Sequence, residues 1–362
     1  MPGLKTVGLC TFGVVLMAFG MWHRPEGADD FGPFYRAATL ASHHESVYAN
    51  PWWSPQQSAQ GRFLPYLRTP AYAAVFVPLT LLPYSAARFV WIAVLIAASV
   101  ACVWLFPSER ERLAIALALS FPLVDALMVG QDISLVLLIG VGAAGIFAGG
   151  REFLAGVVAS LLGIKMTYLP AAAIAFLARS RRGFWGLLTG AAIQFGVSFL
   201  VSGANWPAEY IAQLRSPLLD LPPSRMLNLH EVVQSLALPS AVWIGAAIAL
   251  YAAFWFVCKR VSLPDALLIA LPLGMIASPH CKVYDGVVLL PLLVKVATRK
   301  SPAGLLAVLG LTPILYLMVL MGTPPIVLAG DLIVIATTLA AAWRIYHTNY
   351  QTGSKTEAVL SS

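Results

Sequence analysis

Charge is what this sequence has least of. Asp, Glu, Lys and Arg make up 11% of its 362 residues, where an ordinary soluble domain carries about 25%. The apolar set reaches 59%, which excludes a disordered or fibrous chain and argues against a soluble globular one. The 23 basic residues exceed the 16 acidic ones by seven. They stand singly between apolar runs instead of forming the patch a nucleic-acid partner would need, so no nucleic-acid partner is expected. Cysteine is also scarce. Cys10, Cys102, Cys258 and Cys281 are far apart and form no CxxC pair, so they read as small core hydrophobes and not as a disulfide frame or metal site. No HExxH, P-loop, GxSxG or strand–helix GxGxxG occurs, which leaves a cytosolic nucleotide site unsupported. No Gly/Ser linker divides the chain, and no duplicated half of the transporter kind stands out.

Long apolar runs are what the sequence has instead. They cover 4–22, 69–82, 84–106, 113–129, 132–149, 152–164, 166–178, 184–202, 239–258, 263–279, 284–298, 303–321 and 326–346. A spanning helix needs about 20 such residues, because hydrocarbon cannot satisfy backbone amides. Lys5 followed by an apolar stretch from Val7 to Trp22, with no small-residue cleavage site, reads as a first crossing and not a signal peptide. The expected fold is an all-α polytopic membrane protein of about twelve crossings. One integral domain covers 1–347, with a first outer loop at 23–83, a second at 203–238 and a loose cytoplasmic tail at 348–362.

The runs allow two topologies. Either 69–82 crosses and 152–178 is one long pass, or 69–82 dips into the outer surface and 152–164 and 166–178 are separate passes meeting near Lys165. The second puts Arg110, Arg112 and Arg151 on the cytoplasmic side and the first gains only Arg88 there. The positive-inside bias therefore selects the second. Both put the clusters at Arg179–Arg182, Lys259-Arg260 and Arg299-Lys300 on one side, opposite the aromatic-rich loops.

Ionisable groups at membrane depth mark function by default, and under the second topology they collect on the outer face. Asp29-Asp30 follows the first crossing. A carboxylate beside a low-dielectric slab could take a hydroxyl proton, or could simply cap the amphipathic stretch that begins at Phe31. Arg68 stands where Pro65 and Pro70 break the chain before an apolar run, able to fork onto phosphate or to reach lipid head groups. Gly130-Gln131-Asp132 joins two apolar runs almost without a loop, and Lys165 is the one charge between Glu152 and Arg179. Ser278-Pro279-His280-Cys281-Lys282-Val283-Tyr284-Asp285 brings a histidine, a lysine, a tyrosine and an acid together, enough for a proton relay and a phosphate contact or for a solvated loop.

In this order the pieces resemble glycosyltransferase family 87, within the polyprenol-phosphate-sugar-dependent GT-C superfamily. The landmarks are Asp30-Phe31 with Tyr35 and Ala37-Ala38, Tyr48 and Pro51, Thr69-Pro70 before a run ending Leu82-Pro83, Gly130-Gln131, Lys165 with Pro170, and Ser278-Pro279-His280 with Tyr284-Asp285. The resemblance runs from about Met1 to Tyr346. It implies a GT-C-like bundle with non-crossing helices in the first outer loop, a polyprenyl-phosphate-linked hexose (mannose first) as donor, a lipid or glycan acceptor, and inversion of the anomeric carbon. Asp30 would be the general base, with Asp29 in reserve. Arg68, Gln131, Lys165, His280, Lys282 and Tyr284 would hold the donor and its phosphate. The chain departs from the family at Leu67-Arg68-Thr69-Pro70, where Tyr-Pro-Pro is usual, and at Ile133, where Asn is usual. No resident metal or cofactor is expected, and the expected location is a bacterial plasma membrane with the site facing outward. A transporter or flippase of a lipid-linked or small polar solute, and a polysaccharide polymerase or ligase, are the competing classes.

Overall fold

The computed structural model describes residues 30–49, 65–215, 226–297 and 301–360. The run 4–22 and the orientation of the N-terminus therefore lie outside the described residues, as do Asp29, Pro51, the Arg299-Lys300 cluster and the middle of the second outer loop. The described chain is α-helical with short 3₁₀ segments and, among these residues, no strand. Five helices are long and apolar enough to cross a membrane, up to seven if two bent pairs count as single spans, and three shorter apolar helices accompany them. The protein is an all-α polytopic membrane protein. Its large apolar side chains at Phe89, Trp104, Leu200, Ile248, Phe256 and Trp343 face outward, as lipid-facing positions should.

The helices are α1 (Phe31–Ser42), α2 (Pro70–Phe76), α3 (Tyr84–Trp104), α4 (Arg110–Ala118), α5 (Phe121–Val129), α6 (Ile133–Ala148), α7 (Glu152–Ser160), α8 (Leu169–Arg179), α9 (Arg181–Ser202), α10 (Trp206–Leu214), α11 (Leu229–Ser235), α12 (Ser240–Cys258), α13 (Leu263–Ala277), α14 (Leu290–Ala297), α15 (Pro302–Gly310), α16 (Pro313–Met321) and α17 (Pro324–Leu360). Helix α13 is the central post, buried along nearly its whole length, which its all-round apolar sequence requires. Cys102, Cys258 and Cys281 are buried and free.

Geometry decides between the two topologies. By length and composition residues 152–179 would serve as one span, but the helix breaks at Lys165 (φ −129°, ψ 88°) inside the 3₁₀ segment Leu161–Tyr168. Pro170 then restarts it as α8, where a missing amide costs nothing. The two ends return to each other, since Ser180 Oγ donates to the Glu152 carboxylate at 2.5 Å. Helices α7 and α9 pack parallel and almost in backbone contact. A Cβ at Gly156 would stand 1.8 Å from the Gly183 carbonyl, and one at Gly186 would stand 2.0 Å from that of Phe153. Such stripes of small residues let apolar helices approach closely in lipid. Residues 152–178 therefore form a hairpin with Lys165 at its tip.

The segment 69–82 does not cross either. At one end Arg68 is bound to Asp132, while at the other Tyr35 donates to the Leu82 carbonyl at 2.9 Å and Arg88 to that of Met128 at 2.9 Å. Both ends thus meet the turn at 128–132. Helix α17 runs on to Leu360, through the residues expected to form a loose tail.

Two outcomes check this fold. Cysteines introduced by Arg151→Cys and Arg181→Cys should be labelled by an impermeant maleimide from the same side of the membrane; labelling from opposite sides would restore the single long pass. Gly156→Leu should destabilise the protein by about 3 kcal/mol or more by overpacking, read as a lower thermal midpoint in detergent, while Gly145→Leu, where a Cβ meets nothing within 4 Å, should leave it nearly unchanged.

Candidate active site

The site begins with a turn. Helix α5 ends in a Schellman arrangement, with Gln131 N–H donating to Ala126 O at 2.8 Å and Gly130 N–H to Leu127 O at 3.3 Å. Gly130 holds φ +75°, the left-handed value that ends a helix most cheaply as glycine. A Cβ there would also stand 3.0 Å from that of Phe31. Trp91 Nε1 donates to the Gly130 carbonyl at 2.8 Å and Asp30 N–H to the Val129 carbonyl at 2.7 Å. Phe31, Phe34, Phe76 and Trp91 pack ring against ring beside this turn. The start of α1 is thereby clamped onto the end of α5, which sets Asp30 beside Gln131.

Gln131 spends both amide protons within the site. Its Nε2 donates to Asp30 Oδ2 at 2.9 Å and to the Tyr284 hydroxyl at 3.0 Å. Its Oε1 accepts from Arg68 at 3.3 Å and from Asp132 N–H at 3.1 Å. Arg68 also forks onto Asp132 through Nε at 3.0 Å and a terminal nitrogen at 3.1 Å, the bidentate geometry a planar guanidinium favours. Burial pushes the Asp30 carboxyl above its ordinary range; hydrogen bonds from Gln131 and Tyr284 and the charges of Lys282 and Lys165 pull the other way.

The third connection enters at Ser278, whose extended backbone ends α13 ahead of Pro279. Lys165, at the hairpin tip and 8% exposed, is ion-paired with Asp285, and Tyr168 donates to the same carboxylate at 3.3 Å. The other Asp285 oxygen accepts the Lys282 N–H at 2.8 Å, so one acid holds both the hairpin and its own loop. Lys282 carries no ion pair among the described residues. His280 is pushed down to about 4 by burial, then by the charges of Lys282 and Lys165, and is therefore neutral near pH 7.

Of the residues expected from sequence, Asp30, Arg68, Gln131 and Tyr284 are hydrogen-bonded into one chain, and Lys165, His280 and Lys282 sit on the adjoining turns. Arg68 and Lys165 are bound to carboxylates, leaving Lys282 as the uncommitted cation of the set. Asp29 lies outside the described residues. Among the described residues no three His, Cys, Asp or Glu side chains converge as a metal ion would need.

Residues beyond those candidates complete the surroundings. Asn228 donates to the Ser278 carbonyl at 3.0 Å and caps α11 through Glu231 N–H at 2.8 Å. His230 Nδ1 meets the Pro279 carbonyl at 2.9 Å. The segment that opens α11 thus grips the loop carrying His280, and the Asn-x-x-Glu capping pattern at 228–231 was its signal. Asp331 on α17 is fully buried with neither carboxylate oxygen hydrogen-bonded, and it feels the charge of Glu231. A lone acid inside an apolar run was the signal there. An apolar groove of about 280 Å³ lies on the lipid side of α8 and α12 and ends at Ser278 and Pro279.

The sequence profile of glycosyltransferase family 87 matches residues 66–279, more than half of the chain. No curated protein and no solved structure matches.

Removing one partner of a buried ion pair costs about 3–5 kcal/mol, whereas replacing both by apolar groups can be neutral. With side-chain exposures of 11% and 0%, Arg68 and Asp132 should behave this way. Arg68→Met should lower the thermal midpoint sharply, and the double variant Arg68→Met/Asp132→Leu should recover most of the loss. Additive losses in the double variant would show that the pair is not coupled.

Proposed function

The chain belongs to glycosyltransferase family 87, and from that premise we propose that it transfers a hexose, mannose in the first instance, from a polyprenyl-phosphate donor to a hydroxyl of a lipid or glycan acceptor. The carrying observation is Asp30: a half-buried carboxylate on an aromatic clamp, oriented by Gln131 and Tyr284.

In this mechanism the acceptor hydroxyl attacks the anomeric carbon from the face opposite the phosphate. Its proton passes to the free oxygen of Asp30 as the new C–O bond forms. The bond from the anomeric carbon to the phosphate oxygen breaks, and its electron pair leaves on the polyprenyl phosphate. Inversion follows from the single displacement. The departing phosphate gains a negative charge and needs stabilisation more than protonation. Lys282 supplies it as a charge, and neutral His280 as a hydrogen-bond donor. Arg68 and Lys165, paired with Asp132 and Asp285, hold the frame. The polyprenyl chain lies in the apolar groove that ends at Ser278 and Pro279, which brings its phosphate to the loop that carries His280 and Lys282.

We place the site on the outer face of a bacterial plasma membrane. Support comes from Arg110, Arg112, Arg151, Arg179, Arg181, Arg182, Lys259 and Arg260, all on connections at the opposite end of the bundle, where a positive-inside protein carries its basic residues.

The test is transfer from radiolabelled polyprenyl-phosphate mannose to a panel of lipid and glycan acceptors. Asp30→Asn should lose about 10³-fold or more, in keeping with a general base, with an unchanged thermal midpoint. Normal transfer by this variant removes Asp30 from the role. Because burial raises its carboxyl, wild-type activity should fall on the acid side above the ordinary carboxylate range, as protonation removes the base. Lys282→Met should raise KM for the donor much more than for the acceptor.

A further inference from the structure

At the end of the bundle opposite this site, three passes leave a polar cavity between them. Helix α13 begins there, α14 ends there, and α17 emerges. The cavity measures about 160 Å³, and Asp265, Lys295, Arg344, Thr348 and Asn349 line it. Asp265 is already occupied: it is ion-paired with Lys295 and accepts from Asn349 Nδ2 at 3.3 Å. Two cations and one acid therefore leave the cavity one positive charge in excess, and that charge belongs to Arg344.

Arg344 forms no ion pair among the described residues, and its Nε is buried without a hydrogen-bond partner. A desolvated charged donor left unmade is costly. Among the described residues the acid in the wall is spent on Lys295 and Asn349, which leaves the Arg344 Nε open to an acceptor carried by a ligand. A guanidinium fork selects a planar or tetrahedral oxyanion. Sites for drug-sized ligands begin near about 300 Å³, so the cavity admits a small anionic group and not a nucleotide. Further basic residues surround it. Lys259 and Arg260 stand just before α13, and the Arg260 guanidinium lies 5.6 Å from the centroid of the Tyr346 ring, on the same helix as Arg344. Basic pockets between spanning helices at this level suit anionic head groups.

We propose that this cavity binds a phosphate group, with Arg344 as its principal ligand and Lys295 in support. The phosphate belongs either to an anionic lipid head group or to a free phosphate. The inference does not depend on the sugar-transfer mechanism, since it concerns the other end of the bundle.

The test uses the full-length protein, stripped of lipid in neutral detergent, with the thermal midpoint followed against phosphatidylglycerol, phosphatidylcholine and inorganic phosphate. Phosphatidylglycerol should raise the midpoint and phosphatidylcholine should not. Arg344→Gln should weaken the apparent affinity at least ten-fold, while Arg181→Gln, an exposed arginine on another connection at the same end, should leave it unchanged. A rise with inorganic phosphate that Arg344→Gln abolishes assigns the cavity to the free anion. Equal rises with both lipids, or a loss as large in Arg181→Gln, overturn the proposal. Should Arg344→Gln fail to fold, native mass spectrometry of the wild-type protein decides: one retained phosphatidylglycerol in preference to phosphatidylcholine, or one retained phosphate, supports the site, and retention of none overturns it.

Discussion

One side-chain amide joins the parts of this site. Gln131 has two N–H donors and one carbonyl acceptor, and all are engaged: the donors by Asp30 and Tyr284, the acceptor by Arg68 and the Asp132 amide. Turning the amide over would set a carbonyl against the Asp30 carboxylate and an amine against the Arg68 guanidinium, so the charged neighbours fix its orientation. Three of these four bonds reach other connections of the fold: the entry to α1, the chain before α2 and the loop before α14. The amide can do this because Gly130 takes the left-handed conformation that ends α5 and turns Gln131 inward. Backbone conformation at one residue thus determines whether three distant segments share a pocket.

The electrostatics follow from how cations are assigned. Arg68 and Lys165 are each neutralised by a buried carboxylate, Asp132 and Asp285. Such pairs are weak sources of stability but demanding of geometry, which suits groups that position others. In the proposed reaction the remaining balance is simple. Asp30 begins negative and ends protonated, while the phosphate leaves with one more negative charge. The site total is unchanged, and Lys282 stands where it can attract that charge as it shifts.

Much of this was legible in the sequence, for physical reasons. Apolar runs longer than any core strand or helix could use reported the membrane, and the basic residues selected the topology in which 69–82 does not cross and the chain turns back near Lys165, because their hydration cost is the same in every fold. Asp30, Gln131 and Lys165 stood out as polar groups at places where apolar segments meet. Pairing was not legible. Nothing local to Arg68 or Lys165 says that an acid from another connection will meet it, since that depends on the tertiary path. Asn228 and His230 were hidden for a related reason: they act on the backbone carbonyls of Ser278 and Pro279, and carbonyls carry no sequence signal. Asp331 was legible as a lone acid in an apolar run, but the weight given to outer turns passed over it.

The hairpin at Lys165 has a bearing on where chemistry can occur. From Glu152 to its tip, one short helix and part of a 3₁₀ segment climb about 20 Å at ordinary rises per residue. A bilayer's hydrocarbon layer is about 30 Å thick. With Glu152 set at one edge of that layer, the Lys165–Asp285 pair would stand about 10 Å short of the other edge, beside the longer helices α3 and α9. A carrier lipid entering sideways would keep its tail in its own leaflet and bend only its head inward. Bulk water would have to come in from that other edge, past the incoming alcohol, before it could compete for the sugar.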